Sequence, residues 1–169
     1  MKKTTKRIAL DAALTALALA LFVLETQIPP PVALPGVKLG LSNIVVLTAI
    51  YALGRRDAAA ILLLRVVLGG VFSGSVIALL FSAAGSAFAF AVMCLLSRVM
   101  GARRVWAVSV FGALAHNAGQ LVAAALTLGT ARVLWYAPAL VLSGIATGVF
   151  TGLCAQYVVR RNIFRKFIS

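Results

Sequence analysis

Acid is what this sequence lacks most. Three Asp and Glu stand against sixteen Lys and Arg in 169 residues, and charged residues of either sign amount to only 11%. Three carboxylates, Asp11, Glu25 and Asp57, supply acid–base chemistry poorly. No DDxxD-like pair exists to hold magnesium against a diphosphate, and no nucleophile–base pair stands out. The expectation is a chain that is not an enzyme and uses no cofactor or metal. A self-powered transporter is also disfavoured: there is no Walker motif and no internal acidic residue suited to proton or sodium coupling. Cysteine is equally sparse. Cys94 and Cys154 both fall in apolar runs without CxxC spacing, so they read as small hydrophobes. The shortage of charge excludes an ordinary soluble domain, which carries about a quarter charged residues. It also excludes intrinsic disorder, which needs a far more polar chain.

What is present is apolar: 63% of residues are hydrophobic and the mean hydropathy is +1.08. Apolar runs cover about 8–24, 39–54, 58–72, 76–97, 105–128 and 134–159. A membrane-crossing helix needs about 20 residues, with 17 to 25 usual. The reading is an all-α, single-domain polytopic membrane protein of six transmembrane helices. Its weakest boundary is Gly69-Gly70 through Gly74-Ser75, where one long helix from Ala58 to Leu80 would give five spans instead. The basic residues favour six. Clusters at Lys2-Lys3-Lys6-Arg7, Arg55-Arg56, Arg98-Arg103-Arg104 and Arg160-Arg161-Arg165-Lys166 then share one side, leaving out only Lys38, Arg65 and Arg132. Clusters of this kind stay cytoplasmic and meet anionic lipid headgroups. The expectation is a plasma (inner) membrane protein with both termini in the cytoplasm, and the net charge of +13 is not read as a nucleic-acid signal. The opening residues also describe a signal peptide. Asp11 inside the apolar region, and a Pro-rich stretch after it, favour a retained first helix.

Candidate functional groups are the polar residues that apolar helices should not contain. Arg65 has no acidic neighbour in its run, so it needs a partner on another helix (Glu25 or Asp57), an aqueous cavity or a ligand. In helix five, Gly112, His116 and Gln120 share one face with Asn117 adjoining. Either the glycine leaves room for a ligand against the polar pair, or these residues form an interhelical hydrogen-bond network. Pro29, Pro30 and Pro31, then Pro35-Gly36, make a stiff non-helical segment. It reads as a semi-rigid gating loop over the outward mouth of a cavity, with a plain surface loop as the alternative. Ser42 and Asn43 would cap or line the start of helix two. Lys38, Arg65 and Arg132 against Glu25 suggest an anionic or amphipathic small ligand, and Pro138 is expected to kink helix six.

Small residues supply the last pattern. Gly144-Gly148-Gly152 reads as internal packing. The ridge of Ala9, Ala12, Ala13 and Ala16 is a face on which a partner helix could approach closely. Together these features suggest a substrate-binding membrane subunit that borrows its energy from a partner, or a passive facilitator.

Glu25-Thr-Gln-Ile-Pro-Pro, Pro35-Gly-Val-Lys-Leu-Gly-Leu-Ser-Asn43, Arg65 with Gly69-Gly-Val-Phe-Ser-Gly74, and Gly112-Ala-Leu-Ala-His-Asn-Ala-Gly-Gln120 resemble the Gx transporter family. Members of that family are commonly labelled heptaprenyl diphosphate synthase component I. The resemblance covers nearly the whole chain, and the Pro35–Asn43 block is its most specific part. That family in turn resembles the substrate-binding S components of energy-coupling factor importers. The resemblance implies six helices, a ligand pocket near the extracellular side and a gate spanning Pro29 to Lys38. It also implies contact from the helix-one alanines to a transmembrane coupling protein with two ATPase subunits. The synthase label keeps a membrane component of isoprenoid diphosphate synthesis as the alternative.

Overall fold

The structure, a computed structural model, describes residues 3–27, 40–161 and 163–164. It is all-α among those residues. In chain order the helices are α1 (Lys3–Gln27), α2 (Leu41–Ala52), α3 (Arg55–Ser73), α4 (Val76–Leu96), α5 (Val105–Leu128) and α6 (Ala137–Arg160), with a 3-10 helix at Ala131–Tyr136 before α6.

The doubtful boundary resolves into two helices. Gly74 takes a left-handed conformation at φ 62°, and the Ser75 side chain accepts the Ala78 N–H, which caps α4. Gly69 and Gly70 instead stay inside α3. A methyl group on them would meet Phe22 and Leu79, so these glycines let α1 and α4 come close. Pro138 does not kink α6. It lies in the first turn, where a backbone N–H has no intrahelical partner to lose.

α2 is central, packed against α1, α3 and α6, and Val45 through Ile50 are all buried. A short helix that is apolar all round belongs inside a bundle. The other helices bury one stripe and expose the rest. On α3 the inward stripe is Ala58, Ile61, Leu62, Arg65, Val66 and Gly69, while Leu63, Leu64, Val67, Val71 and Phe72 face outward. α4, α5 and α6 pack through glycines. Gly119 lies against the Ala84 backbone, Gly148 against Val110, and Gly152 against Trp106 and Ser109. The Gly144-Gly148-Gly152 ridge is thus an internal contact with α5.

The basic clusters, as far as they are described, meet at one end of the bundle. Arg7 donates to Asp57 and to the Leu53 carbonyl, Tyr51 to the Met100 carbonyl, and the Trp106 N–H to Gln156. These bonds join the start of α1, the α2–α3 turn, the α4–α5 turn and the end of α6. Trp106 and Tyr157 lie exposed near that end, and Trp135 and Tyr136 near the other. Tyr136, which caps the start of α6, and Tyr157 are separated by about 30 Å along the helix axis, the thickness of a bilayer's hydrocarbon core.

Among the described residues, four helical stretches are long and apolar enough to cross a membrane: Thr5–Gln27, Val76–Leu96, Val105–Leu128 and Ala131–Arg160. α2, at about 18 Å, falls short of that thickness. Arg55, Arg56, Asp57 and Arg65 set α3 apart from the four. Of the six spans expected, four helices have the length and composition to cross a membrane, and α2 and α3 are further helices that do not meet that measure.

Candidate binding cleft

An arginine in a core-facing stripe must be compensated by its surroundings, and those of Arg65 are polar. Its side chain is 2% exposed. Nη1 donates to Ser82 Oγ and Nη2 to Asn43 Oδ1, both at 3.4 Å, the long limit for such bonds. Nε has no hydrogen-bond partner. The guanidinium carbon stands 5.4 Å from the centroid of the Phe22 ring, within cation–π range. Glu25, itself 7% exposed, acts on Arg65 electrostatically and accepts the Gly40 N–H at the entry to α2. Asp57, the other carboxylate that the charge pattern offered as a partner, is engaged by Arg7 at the basic end.

Around Arg65 runs a cleft lined by every α-helix. α1 contributes Phe22 and Glu25, and the start of α2 contributes Gly40, Ser42 and Asn43. Ser82 and Met93 come from α4, Ser109, Gly112, Ala113, His116 and Asn117 from α5, and Thr147 and Thr151 from α6. Its cavity volume is about 30 Å³, room for roughly two waters. The lining mixes amide, hydroxyl, imidazole, carboxylate and guanidinium groups with the apolar walls of Phe22, Met93 and Ala113, and more of its surface is apolar than polar.

The helix-five residues divide. His116 lines the cleft, with its ring over Gly85 of α4, where a methyl group would stand 2.9 Å from it. Gln120 shares the contact with Gly85 but lies outside the lining; it is buried, and its Oε1 has no hydrogen-bond partner. Asn117 lines the cleft, yet its amide donates to the Leu140 carbonyl at 2.7 Å and lies against Gly144. It therefore joins α5 to α6 as well. The room expected above Gly112 is filled: Met93 Cγ and Sδ stand 2.7 and 2.9 Å from where a Gly112 Cβ would be. The glycine that makes space for the polar face is Gly85.

Lys38 and the segment Pro29, Pro30, Pro31, Pro35 and Gly36 lie outside the described residues. Arg132 is exposed on the 3-10 helix and does not line the cleft. Among the described residues, the formal charges lining it are Arg65 and Glu25, so the expected excess of positive charge is not found there. Ala9, Ala12, Ala13 and Ala16 are all exposed along α1.

Sequence reasoning did not pick out Ser82, Ser109, Thr147 or Thr151. Ser109 extends the Gly112–His116 face by one turn, and Thr147 and Thr151 are spaced by four between the α6 glycines. That spacing is the available signal.

No curated protein and no solved structure matches the chain. The model of one protein family does, over residues 14–158. That match takes in the cleft from Phe22 to Thr151, and the chain belongs to the family described as heptaprenyl diphosphate synthase component I.

Proposed function

We propose that the chain is the substrate-binding membrane subunit, an S component, of an energy-coupling factor type importer for a small anionic or amphipathic molecule. The observation that carries this reading is Arg65. It is a buried guanidinium with two long hydrogen bonds and an unused Nε donor, facing a polar cleft. Such a group in an apolar bundle is costly unless something supplies acceptors. A carboxylate or phosphate on the ligand does so with a matching fork.

In this reading all six helices sit in the membrane, the basic end faces the cytoplasm with both termini, and its arginines meet anionic lipids. The cleft opens on the opposite side. The exposed alanine face of α1 receives a transmembrane coupling protein that carries two ATPase subunits, since small residues let helices approach closely in lipid.

The family description supports a second reading, a membrane-bound component of heptaprenyl diphosphate synthesis. A cleft this narrow is a poor host for a long prenyl chain, and Asp57 and Glu25 lie toward opposite ends of the bundle. Mass spectrometry of small molecules released from gently extracted protein separates the two. A polar anion that disappears in the Arg65→Ala protein supports the importer subunit. A prenyl diphosphate, or chain elongation by the purified protein, supports the synthase component. Uptake that does not require the coupling protein would make it a facilitator.

A further inference from the structure

The cleft that holds Arg65 is also lined by Met93 and by a pair of hydroxyls, Ser109 and Thr151. We propose that Ser109 and Thr151 form a second polar station in the cleft, screened by Met93, for a hydrogen-bond-donating group such as a hydroxyl, an amide N–H or an ammonium. This rests on reading the cleft as a binding site.

Proton placement decides the polarity of this station. Ser109 Oγ and Thr151 Oγ1 are 3.0 Å apart, and either could donate. Thr151 has one hydroxyl proton, and its Oγ1 lies 2.8 Å from the Thr147 carbonyl of its own helix. That carbonyl can only accept, so Thr151 donates there and Ser109 donates to Thr151. Ser109 Oγ then keeps two lone pairs, and the pair offers acceptors without a donor. Arg65 offers donors without an acceptor. The two stations are therefore complementary in kind. Both hydroxyl residues are buried, at 5% and 3% exposure, and both line the cleft.

By helix register, Met93 lies at a level between the two stations. Its side chain packs over Gly112, which lies one turn from His116 on one side and one turn from Ser109 on the other. From Ser82, beside Arg65, to Met93 is about 16 Å along α4. Methionine is unbranched and rotates readily, so this constriction can yield without moving a helix.

Substituted cysteines in the full-length chain, in membrane vesicles and with Cys94 and Cys154 replaced by alanine, test the arrangement. The probes are an aminoethyl methanethiosulfonate, whose ammonium carries N–H donors, and a sulfonatoethyl methanethiosulfonate. Asn43→Cys, beside Arg65, should react with both, and faster with the sulfonate. Ser109→Cys should react slowly, and about tenfold faster when Met93→Ala is added, the change that ~1.4 kcal/mol in a barrier makes. There the ammonium reagent should be the faster, because Thr151 still donates to the Thr147 carbonyl and keeps its own lone pairs for an incoming donor. Met93→Leu keeps the bulk and should leave the slow rate unchanged. Labelling at Ala18→Cys, whose parent residue is fully buried, reports unfolding; if Met93→Ala unfolds the chain, Met93→Val decides. A Ser109→Cys rate indifferent to Met93, or a sulfonate preference there, overturns the second station while leaving the Arg65 site intact. An Asn43→Cys that neither reagent reaches overturns the binding cleft itself.

Discussion

Arg7 and Arg65 each answer to a carboxylate from another helix, under opposite conditions. Arg7 is half exposed, its Nη2 stands 2.6 Å from Asp57, and it also donates to the Leu53 carbonyl. Arg65 is buried, holds Ser82 and Asn43 by bonds at the limit of length, and leaves Nε unused. The arginine that water could have solvated is the better satisfied, and the one cut off from water is not. A group retained only for stability would show the reverse, because leaving a buried charge under-bonded is expensive. The difference marks Arg7 as a clamp between α1 and α3, and it supports the proposal that Arg65 is held ready for a ligand.

Removing the guanidinium breaks the comparison most directly. Arg65→Ala should weaken ligand binding by about 2–5 kcal/mol, as truncating one member of a buried charge pair does. The retained ligand, measured by quantitative mass spectrometry on detergent-extracted protein, then falls by roughly a factor of thirty or more. Arg65→Lys keeps the charge but not the planar fork, and should fall between. Equal ligand content in all three proteins would remove Arg65 from the site.

The next effect concerns the outside of the bundle. Ala13 is exposed on α1, so Ala13→Leu should leave thermal unfolding within about 0.5 kcal/mol of the parent. Against a closely packed partner helix the added bulk costs about 1–3 kcal/mol. Pull-down of the proposed coupling protein should drop several-fold or more while ligand content is unchanged. A loss of ligand with the partner retained would place the alanine face elsewhere in the mechanism.

Inside the bundle, Gly119→Ala sets a methyl group 2.7 Å from the Ala84 carbonyl oxygen, a backbone atom that cannot swing aside. A destabilisation of about 1–3 kcal/mol is expected in thermal unfolding. Gly112→Ala meets the flexible Met93 side chain instead and should cost less.

Some of these contrasts are legible in the amino-acid sequence and others are not. Arg65 is legible because a lone charge in an apolar run has nowhere cheap to go. Gly144, Gly148 and Gly152 are legible because four-residue spacing puts small residues on one face. The break between α3 and α4 is not: Gly69-Gly70 and Gly74-Ser75 offer the same composition, and only the left-handed Gly74 with the Ser75 cap separates them. Ser82, Ser109 and Thr151 are hidden for another reason. Hydroxyls in apolar helices commonly bond their own carbonyls, as Thr15 and Thr127 do here, so sequence does not tell a lining residue from a self-satisfied one. Gly112 misleads because spacing shows where a gap opens on one helix, not which side chain of the neighbour fills it.

The smallest expected effect sharpens the comparison from the other side. Asp57→Asn removes the charge from the partner of Arg7, but Arg7 is half exposed and keeps the Leu53 carbonyl. Solvent and salt screen such a pair, and exposed pairs contribute about 0.2–1 kcal/mol. Thermal unfolding should therefore shift by no more than that, and less at high salt. Ligand content should not change, because Asp57 lies at the basic end, away from the cleft. A large loss of stability would mean that the α1–α3 clamp is cooperative with the core. A loss of ligand without loss of stability would tie the basic end to Arg65 through α3, which carries both Asp57 and Arg65. The two arginines would then be ends of one device instead of separate parts.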